Sequence, residues 1–381
     1  MKLKNIYITH TNCITPLGFD VDSNIEAIAN GITGISKQEN SMLPIPFYAG
    51  VVNNDKLEAA FAVISNNQSY TRLEKMILLA LYPVLQKSGV KPDSKTALVL
   101  STTKGNITSL SKGNNLPDEA YLQGLANNVA NFFGFTTEPV VVSNACVSGI
   151  MAISVAKRLI QAGIYDNAFV VAGDEVSEFV LSGFNSFQAM SAEPCKPYSA
   201  NRTGVTLGEA AAAVLVTKES VNAKATVIGD GSINDANHIS GPSRTGEGLV
   251  RSIESALKES GISAGAIDYI SAHGTATPFN DEMEAIAFNR LGLNEVPVNS
   301  LKGYYGHTLG ASGLLETVIA LEAMDKNKLF ASMGYDEPGV SQAINVIEKT
   351  EEKEINYLLK TASGFGGCNT AVIFEKANNG K

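Results

Sequence analysis

Apolar residues recur along this chain in two alternating rhythms, short unbroken runs and longer stretches at helical spacing. NIYITH (5–10) has the first rhythm and predicts a strand that enters the turn TPLG. TRLEKMILLALYPVLQKS (71–88) has the second and predicts a helix, after which KTALVLST (95–102) reads as a buried strand. The polar, turn-rich stretch 103–118, TKGNITSLSKGNNLPD, reads as a surface loop with a short helix inside it. EPVVVSNAC then gives a strand and turn, GIMAISVAKRLIQAG a helix, NAFVVAGDE a strand, and EAAAAVLVTKE a strand whose alanines imply tight packing.

The second half repeats this order. KATVIGDGSIN is strand-like, EGLVRSIESALKESG is helical, and AIDYISAHGT runs from a strand into a loop. PVNSLKGYYGHTLGASGLLETVIALEAMDKN predicts strand, loop and helix, and NTAVIFEK closes as a strand. The segments VVSNACVSGIMAISVAKRLI and NSLKGYYGHTLGASGLLETVIAL each join a strand to a helix through a turn and a small-Ser-Gly step. Two α/β halves of similar topology follow, near residues 1–220 and 221–381, with helices between sheets. No proline- or serine-rich linker divides them, so one fused body is expected.

Composition narrows the function classes. The 381 residues are 44% hydrophobic and 18% charged, which is enough apolar material for a large core and excludes a disordered chain. Net charge is −9 and the cations are scattered, a field that disfavours nucleic acid. No apolar run approaches the length of a membrane span, and the basic N-terminus lacks a signal-peptide core, so a cytoplasmic protein is expected. The four cysteines, at 13, 146, 195 and 368, contain no CxxC pair and are expected to be thiols.

Cys146 follows a buried strand and sits where a helix begins, so backbone N–H groups and the helix dipole can favour its thiolate. Read alone, it fits a small core cysteine somewhat better. Two of the four histidines change the balance, because His273 and His307 both lie in Gly- and Thr-rich loops after apparent strands, where α/β folds collect site residues. Three such groups also admit zinc, but close ligand pairs such as CxxC are absent and no metal is expected. A Cys-His-Asn hydrolase with Asn369 or Asn299 as orienter is a further alternative that leaves one histidine unexplained. Lys302, five residues before His307, and Glu316, which interrupts the apolar GLLETVIAL, are candidates for a pair near the site. GFGGCN (364–369) supplies close backbone approach and an aromatic ring at Phe365, but it precedes a strand and is no dinucleotide fingerprint.

Seven ordered motifs carry a resemblance: ITPLG, SNACVSG, CKPYSANRTGVTLGEAAA, DANHISGP, AHGTATPFND, KGYYGHTLGASG and GFGGCN. Nearly end to end, the chain resembles a β-ketoacyl-[acyl carrier protein] synthase of the elongating type, within the thiolase-like superfamily. The resemblance implies a layered α-β-α-β-α body in which residues 1–220 carry the nucleophile and 221–381 both catalytic histidines. It implies that Cys146 accepts an acyl group from a carrier-bound thioester, and that His273 and His307 assist decarboxylation of a malonyl thioester and steady the enolate. Lys302 and Glu316 match the family's acidic-basic pair, Phe365 its gating ring, and Thr275 and Thr277 the threonines that bind the pantetheine arm. Backbone N–H groups of Cys146 and Phe365 match its oxyanion hole.

The implied product is a β-ketoacyl chain two carbons longer, made by decarboxylative Claisen condensation. The implied partners are an acyl carrier protein, which delivers phosphopantetheine so that no tightly bound cofactor is needed, and a second chain. That second chain is another copy or a ketosynthase-like chain-length subunit. Ala276, Phe279, Ser363 and Cys368 depart from the family's usual residues, and 103–130 is shorter than in housekeeping elongation enzymes. Cys368 is expected to be a small site-wall residue, not a thiolase-type second cysteine. The departures leave room for a specialised polyene or polyketide pathway beside fatty acid synthesis. An acyltransferase or hydrolase of the same fold, or a noncatalytic chain-length partner, are the competing readings.

Overall fold

The structure, a computed structural model, describes residues 5–39, 46–67, 69–110, 117–236 and 241–377. Its frame is a ten-stranded mixed sheet. The first five strands are β1 (Tyr7–Ile14), β2 (Thr96–Ser101), β3 (Val140–Val142), β4 (Asn167–Asp174) and β5 (Ala210–Thr217). The second five are β6 (Ala225–Asn234), β7 (Tyr269–Ser271), β8 (Val298–Asn299), β9 (Tyr357–Gly364) and β10 (Cys368–Lys376). Their order across the sheet is β8-β7-β9-β10-β6-β1-β5-β4-β2-β3. Counted outward from the middle, the two sides read β1-β5-β4-β2-β3 and β6-β10-β9-β7-β8, the same order with five added to each number. They join where Tyr7 and Ile8 of β1 pair with Thr226 and Ala225 of β6.

Among the helices that cover the faces are α1 (Arg72–Ser88), α2 (Leu122–Phe133), α3 (Ser148–Gln161), α4 (Glu247–Ser260), α5 (Pro278–Arg290) and α6 (Ser312–Lys326). Helix α1 starts at a reciprocal cap, Thr71 accepting from the Glu74 N–H and Glu74 from that of Thr71. Alternation along the strands sorts side chains into layers. In β4, Phe169 and Val171 join an outer core with α1 and α2, while Val170 and Ala172 join a central core with α3 and α6. In β9 and β10, Leu359, Ala371 and Ile373 meet α4 and α5 on the far outer face, while Leu358, Val372 and Phe374 face α3 and α6. The result is the repeated helix-sheet layering expected of a thiolase-like α/β fold.

Helices α3 and α6 form the middle layer and touch through glycine. A Cβ on Gly149 would stand 2.7 Å from Gly310 O and Leu314 N, and one on Gly313 would stand 2.7 Å from Ile150 N. Only hydrogen leaves room for backbones this close.

Several elements differ from the sequence reading. β1 extends past 5–10 to Ile14. The stretch 103–118 holds a 3₁₀ turn at Ile107–Ser109, and its residues 111–116 lie outside the described residues, as do 237–240 of the DANHISGP motif. Helix α5 escaped the periodicity because it buries polar residues, Asn280, Asp281 and Glu284, beside its apolar ones. Strand β9 escaped because Lys360 breaks its apolar run.

Candidate active site

The turn from β3 to α3 presents the cysteine. Ala145 adopts left-handed backbone, φ 44°, a conformation that costs a residue with a Cβ. Ser148, the first residue of α3, holds the turn: its hydroxyl accepts from Asn144 N at 2.7 Å and donates to Ala145 O at 2.6 Å. Cys146 is left just ahead of the helix, with its side chain buried at the floor of a cavity of about 500 Å³.

Both histidines line that cavity. His307 Nε2 lies 3.1 Å from Cys146 Sγ, and its Nδ1 lies 2.9 Å from Ser312 Oγ. A hydroxyl both donates and accepts, so Ser312 satisfies His307 whether the proton sits on Nδ1 or on Nε2. His273 meets the His307 ring edge to face, centroids 5.2 Å apart and planes at 84°. Cysteine sulfur and imidazole nitrogens converge within 4.8 Å of one another.

Behind the histidines lies buried charge. Lys302 Nζ is 2.6 Å from Glu316 Oε1 and 3.4 Å from His273 Nδ1, and it donates to the His273 carbonyl. With an ammonium against Nδ1, that nitrogen is the acceptor and the Nε2 proton of His273 is free to face the cavity. The pairing of Lys302 with Glu316 is as the sequence suggested, though both stand behind the cavity wall and outside its lining. The sequence reading missed Lys360, whose Nζ lies 2.8 Å from the other oxygen of Glu316. It also missed two carboxylates of α5 that hold the His273 loop: Glu284 accepts from His273 N at 2.8 Å and Gly274 N at 2.7 Å, and Asp281 from Thr275 N at 3.0 Å. Their spacing of three residues, which sets both on one helix face, was the available signal.

Thr275 and Thr277 line the cavity with hydroxyls 2.8 Å apart. Phe365 stands at its mouth, stacked on Phe184 with centroids 5.7 Å apart and tilted toward Phe187 at 5.8 Å. A Cβ on Gly364 would be 3.0 Å from Cys146 N, which measures how closely the GFGG loop backs onto the nucleophile turn. Ala276, one of the residues that depart from the family's usual ones, has φ 62°, in the glycine-favouring region. Cys368 does not wall the cavity as expected. It is buried behind the turn, Sγ 3.8 Å from Asn144 O and 3.5 Å from Phe365 O. Asn299 and Asn369 are occupied elsewhere, by Tyr269 and Phe330 O, and by Ser363 and Gly367 O, so neither orients a histidine.

Burial dominates the electrostatics. It pushes the Cys146 thiol up to about 12, Cys368 adds to the rise, and Lys302 opposes it. The resting group is therefore a thiol, contrary to the thiolate its place at a helix start suggested. Burial, then Lys302, then the other ring and Lys360 hold His273 well below 6.5, and burial and Lys302 do the same to His307. Both imidazoles are neutral at physiological pH. The site can thus move the thiol proton to a ring nitrogen 3.1 Å away and offer N–H donors to a developing oxyanion.

Residues 3–222 match the family model described as beta-ketoacyl synthase, N-terminal domain, and residues 224–336 that described as beta-ketoacyl synthase, C-terminal domain. The chain is 27% identical to a 3-oxoacyl-[acyl-carrier-protein] synthase 2 of Vibrio cholerae, over 99% of this chain and 100% of that one. It is 36% identical to the enzyme of that name from Rhizobium meliloti, over 62% of this chain and 60% of the relative. Among solved structures it is similar to the ketosynthase ApeO in complex with its chain length factor ApeC from Xenorhabdus doucetiae, with TM-score 0.86, 25% identity and 98% of each chain covered. The ishigamide ketosynthase/chain length factor shares the fold, with TM-score 0.90 at 20% identity over 99% of this chain and 100% of that one.

Proposed function

Because the chain belongs to the beta-ketoacyl synthase family, we propose that Cys146 is the residue that stores the acyl group and that His273 and His307 drive the condensation onto it. The enzyme catalyses decarboxylative Claisen condensation. The observation that carries the residue assignment is the 3.1 Å approach of His307 Nε2 to Cys146 Sγ with His273 edge-on beside it.

In the first half-reaction the thiol proton passes to His307 Nε2 while Sγ attacks the carrier thioester, and the same proton leaves on the departing pantetheine thiol. Amide N–H groups of Cys146 and Phe365 bear the charge on the acyl oxygen. In the second, a malonyl thioester settles with its carbonyl oxygen between the two Nε2–H donors. The bond to its carboxylate breaks, CO2 departs, and the electron pair becomes an enolate. The enolate carbon attacks the acyl carbonyl, the C–S bond to Cys146 breaks, and the thiolate takes up one proton from solvent. Ser312 makes both duties of His307 compatible, because its hydroxyl turns to suit either tautomer.

Thr275 and Thr277 are suited to a pantetheine arm, whose amides need hydroxyl partners in an otherwise apolar cavity, and Phe365 to a gate over the acyl group. We read 1–220 and 221–381 as the two halves, the cysteine on the first and both histidines on the second, a reading the repeated strand order supports. The substrates arrive on an acyl carrier protein bearing phosphopantetheine. A second ketosynthase-like chain, a copy or a chain-length subunit, pairs at the outer edge of β3, which ends the sheet half-buried. We read the chain as cytoplasmic, in keeping with the absence, among the described residues, of a helix long and apolar enough to cross a membrane. Likeness to a ketosynthase solved in complex with its chain length factor supports a polyene or polyketide pathway beside fatty acid elongation.

Intact-protein mass spectrometry after incubation with a panel of acyl carriers, then malonyl carrier, tests the assignment. Acylation at Cys146 followed by a product two carbons longer supports it. Acyl transfer to water or another thiol without chain growth favours an acyltransferase or hydrolase. A noncatalytic partner would form a complex whose activity survives Cys146→Ala.

A further inference from the structure

Lys360 is wholly buried in β9, where an ammonium is costly to keep unless its surroundings replace the lost water. They do so from two directions. Its Nζ donates to Thr361 O at 2.7 Å, Ser271 O at 3.1 Å and Ala272 O at 3.4 Å, and it faces Glu316 Oε2 at 2.8 Å. Ser271 and Ala272 are the two residues before His273, brought to Lys360 by the parallel pairing of β7 with β9. Glu316 is shared, one oxygen to Lys302 and the other to Lys360.

We propose that Lys360 is a positioning residue for the decarboxylating half-reaction: it grips the backbone leading to His273 and the far oxygen of Glu316, and so holds Lys302 against the His273 ring. This rests on the reading of His273 as an oxyanion donor. Without Lys360, Glu316 Oε2 loses its cation, the carboxylate is free to rotate, and Lys302, which spans Glu316 and His273, follows it. Lys302, Lys360 and Glu316 together carry one net positive charge behind the ring, fixed in place before negative charge develops in front of it. His273 is faced by Lys302 from the segment after β8, Lys360 from β9, Glu316 from α6, Glu284 from α5 and the His307 ring. Acyl transfer to Cys146 relies on His307 and the two amides, on which Lys302 bears but Lys360 does not, whereas Lys360 bears on His273 directly. Loss of Lys360 therefore weighs more on decarboxylation than on acylation.

The test compares the full chain with Lys360→Met, which keeps length and removes charge, and Lys360→Arg, which keeps charge. Acylation of Cys146 is followed by intact mass and CO2 release from malonyl carrier is followed separately. Decarboxylation is expected to fall at least about tenfold more than acylation in Lys360→Met, with partial recovery in Lys360→Arg. In the substrate-free protein, whose four histidines make ring signals assignable, the His273 titration midpoint is expected to move up in Lys360→Met. Adding Lys360→Met to Glu316→Gln is expected to cost less than the sum of the two, because both act through one contact. Equal loss in both half-reactions, or an unmoved His273 midpoint, overturns the proposal. Failure of the wild-type protein to release CO2 would overturn the functional reading instead, and the His273 midpoint would still decide the role of Lys360.

Discussion

Ala145 and Leu309 occupy the same place in the two halves: each has left-handed backbone, φ 44° and 51°, three residues ahead of the serine that begins α3 or α6. The following residue is Cys146 in one case and Gly310 in the other. One duplicated turn thus presents a nucleophile on the first side, and on the second a bare backbone against which Gly149 packs. A left-handed non-glycine residue costs on the order of 1–3 kcal/mol, and a β-branched one is worse placed still. Ala145 already bears part of that cost, so Ala145→Val is expected to destabilise the fold by about a further 1 kcal/mol and slow Cys146 acylation, while Ala145→Gly keeps both near wild type. Urea unfolding and acylation rates check this.

The two histidines are expected to separate by half-reaction. His273→Ala should slow decarboxylation by about 10²–10³ fold, the usual cost of one oxyanion donor, and leave acylation of Cys146 far less affected. His307→Ala should slow both, since its ring also receives the thiol proton. Single-turnover measurement of each step distinguishes them.

Depressed histidines have a sign in the pH dependence of stability. Below 6.5 the unfolded chain protonates His273 and His307 while the folded one resists, so the unfolded state binds more protons and stability falls with falling pH. Urea midpoints should decline between about pH 7 and about pH 5, and less so in a His273→Gln, His307→Gln double variant. The thiol gives the opposite limb. With Cys146 raised to about 12, alkylation by iodoacetamide should keep rising past the ordinary thiol value of 9.0 without levelling there.

Gly149→Ala places a methyl 2.7 Å from Gly310 O and Leu314 N, both backbone atoms. Helix α3 must shift from α6, at an expected cost of about 1–3 kcal/mol. Because Cys146 hangs from the start of α3 and His307 from the approach to α6, the same change should lower acylation, measurable beside the melt.

Cys146, His273, His307, Lys302 and Glu316 were legible in the sequence because each sits in a local signature that also dictates its local geometry: a strand, a turn, then a helix. Lys360 was not, because its meaning depends on the pairing of Ser271 with Lys360 across 89 residues, which no local pattern carries. Taken by itself, LLKTASG is an apolar strand with an odd lysine. Cys368 was misplaced for a related reason. Alternation along β10 fixes that a side chain points inward, while the loop it meets decides whether inward means the cavity or the back of the nucleophile turn.

Cys146, both histidines and both threonines border a single cavity, and the aromatic mouth at Phe184, Phe187 and Phe365 stands over it. Donor and extender carriers must then take turns at one berth. The first must cast off before the second can dock, so the acyl group needs a mooring in the interval. Initial-rate plots against the two carriers should accordingly give parallel lines, the signature of traffic through one gate.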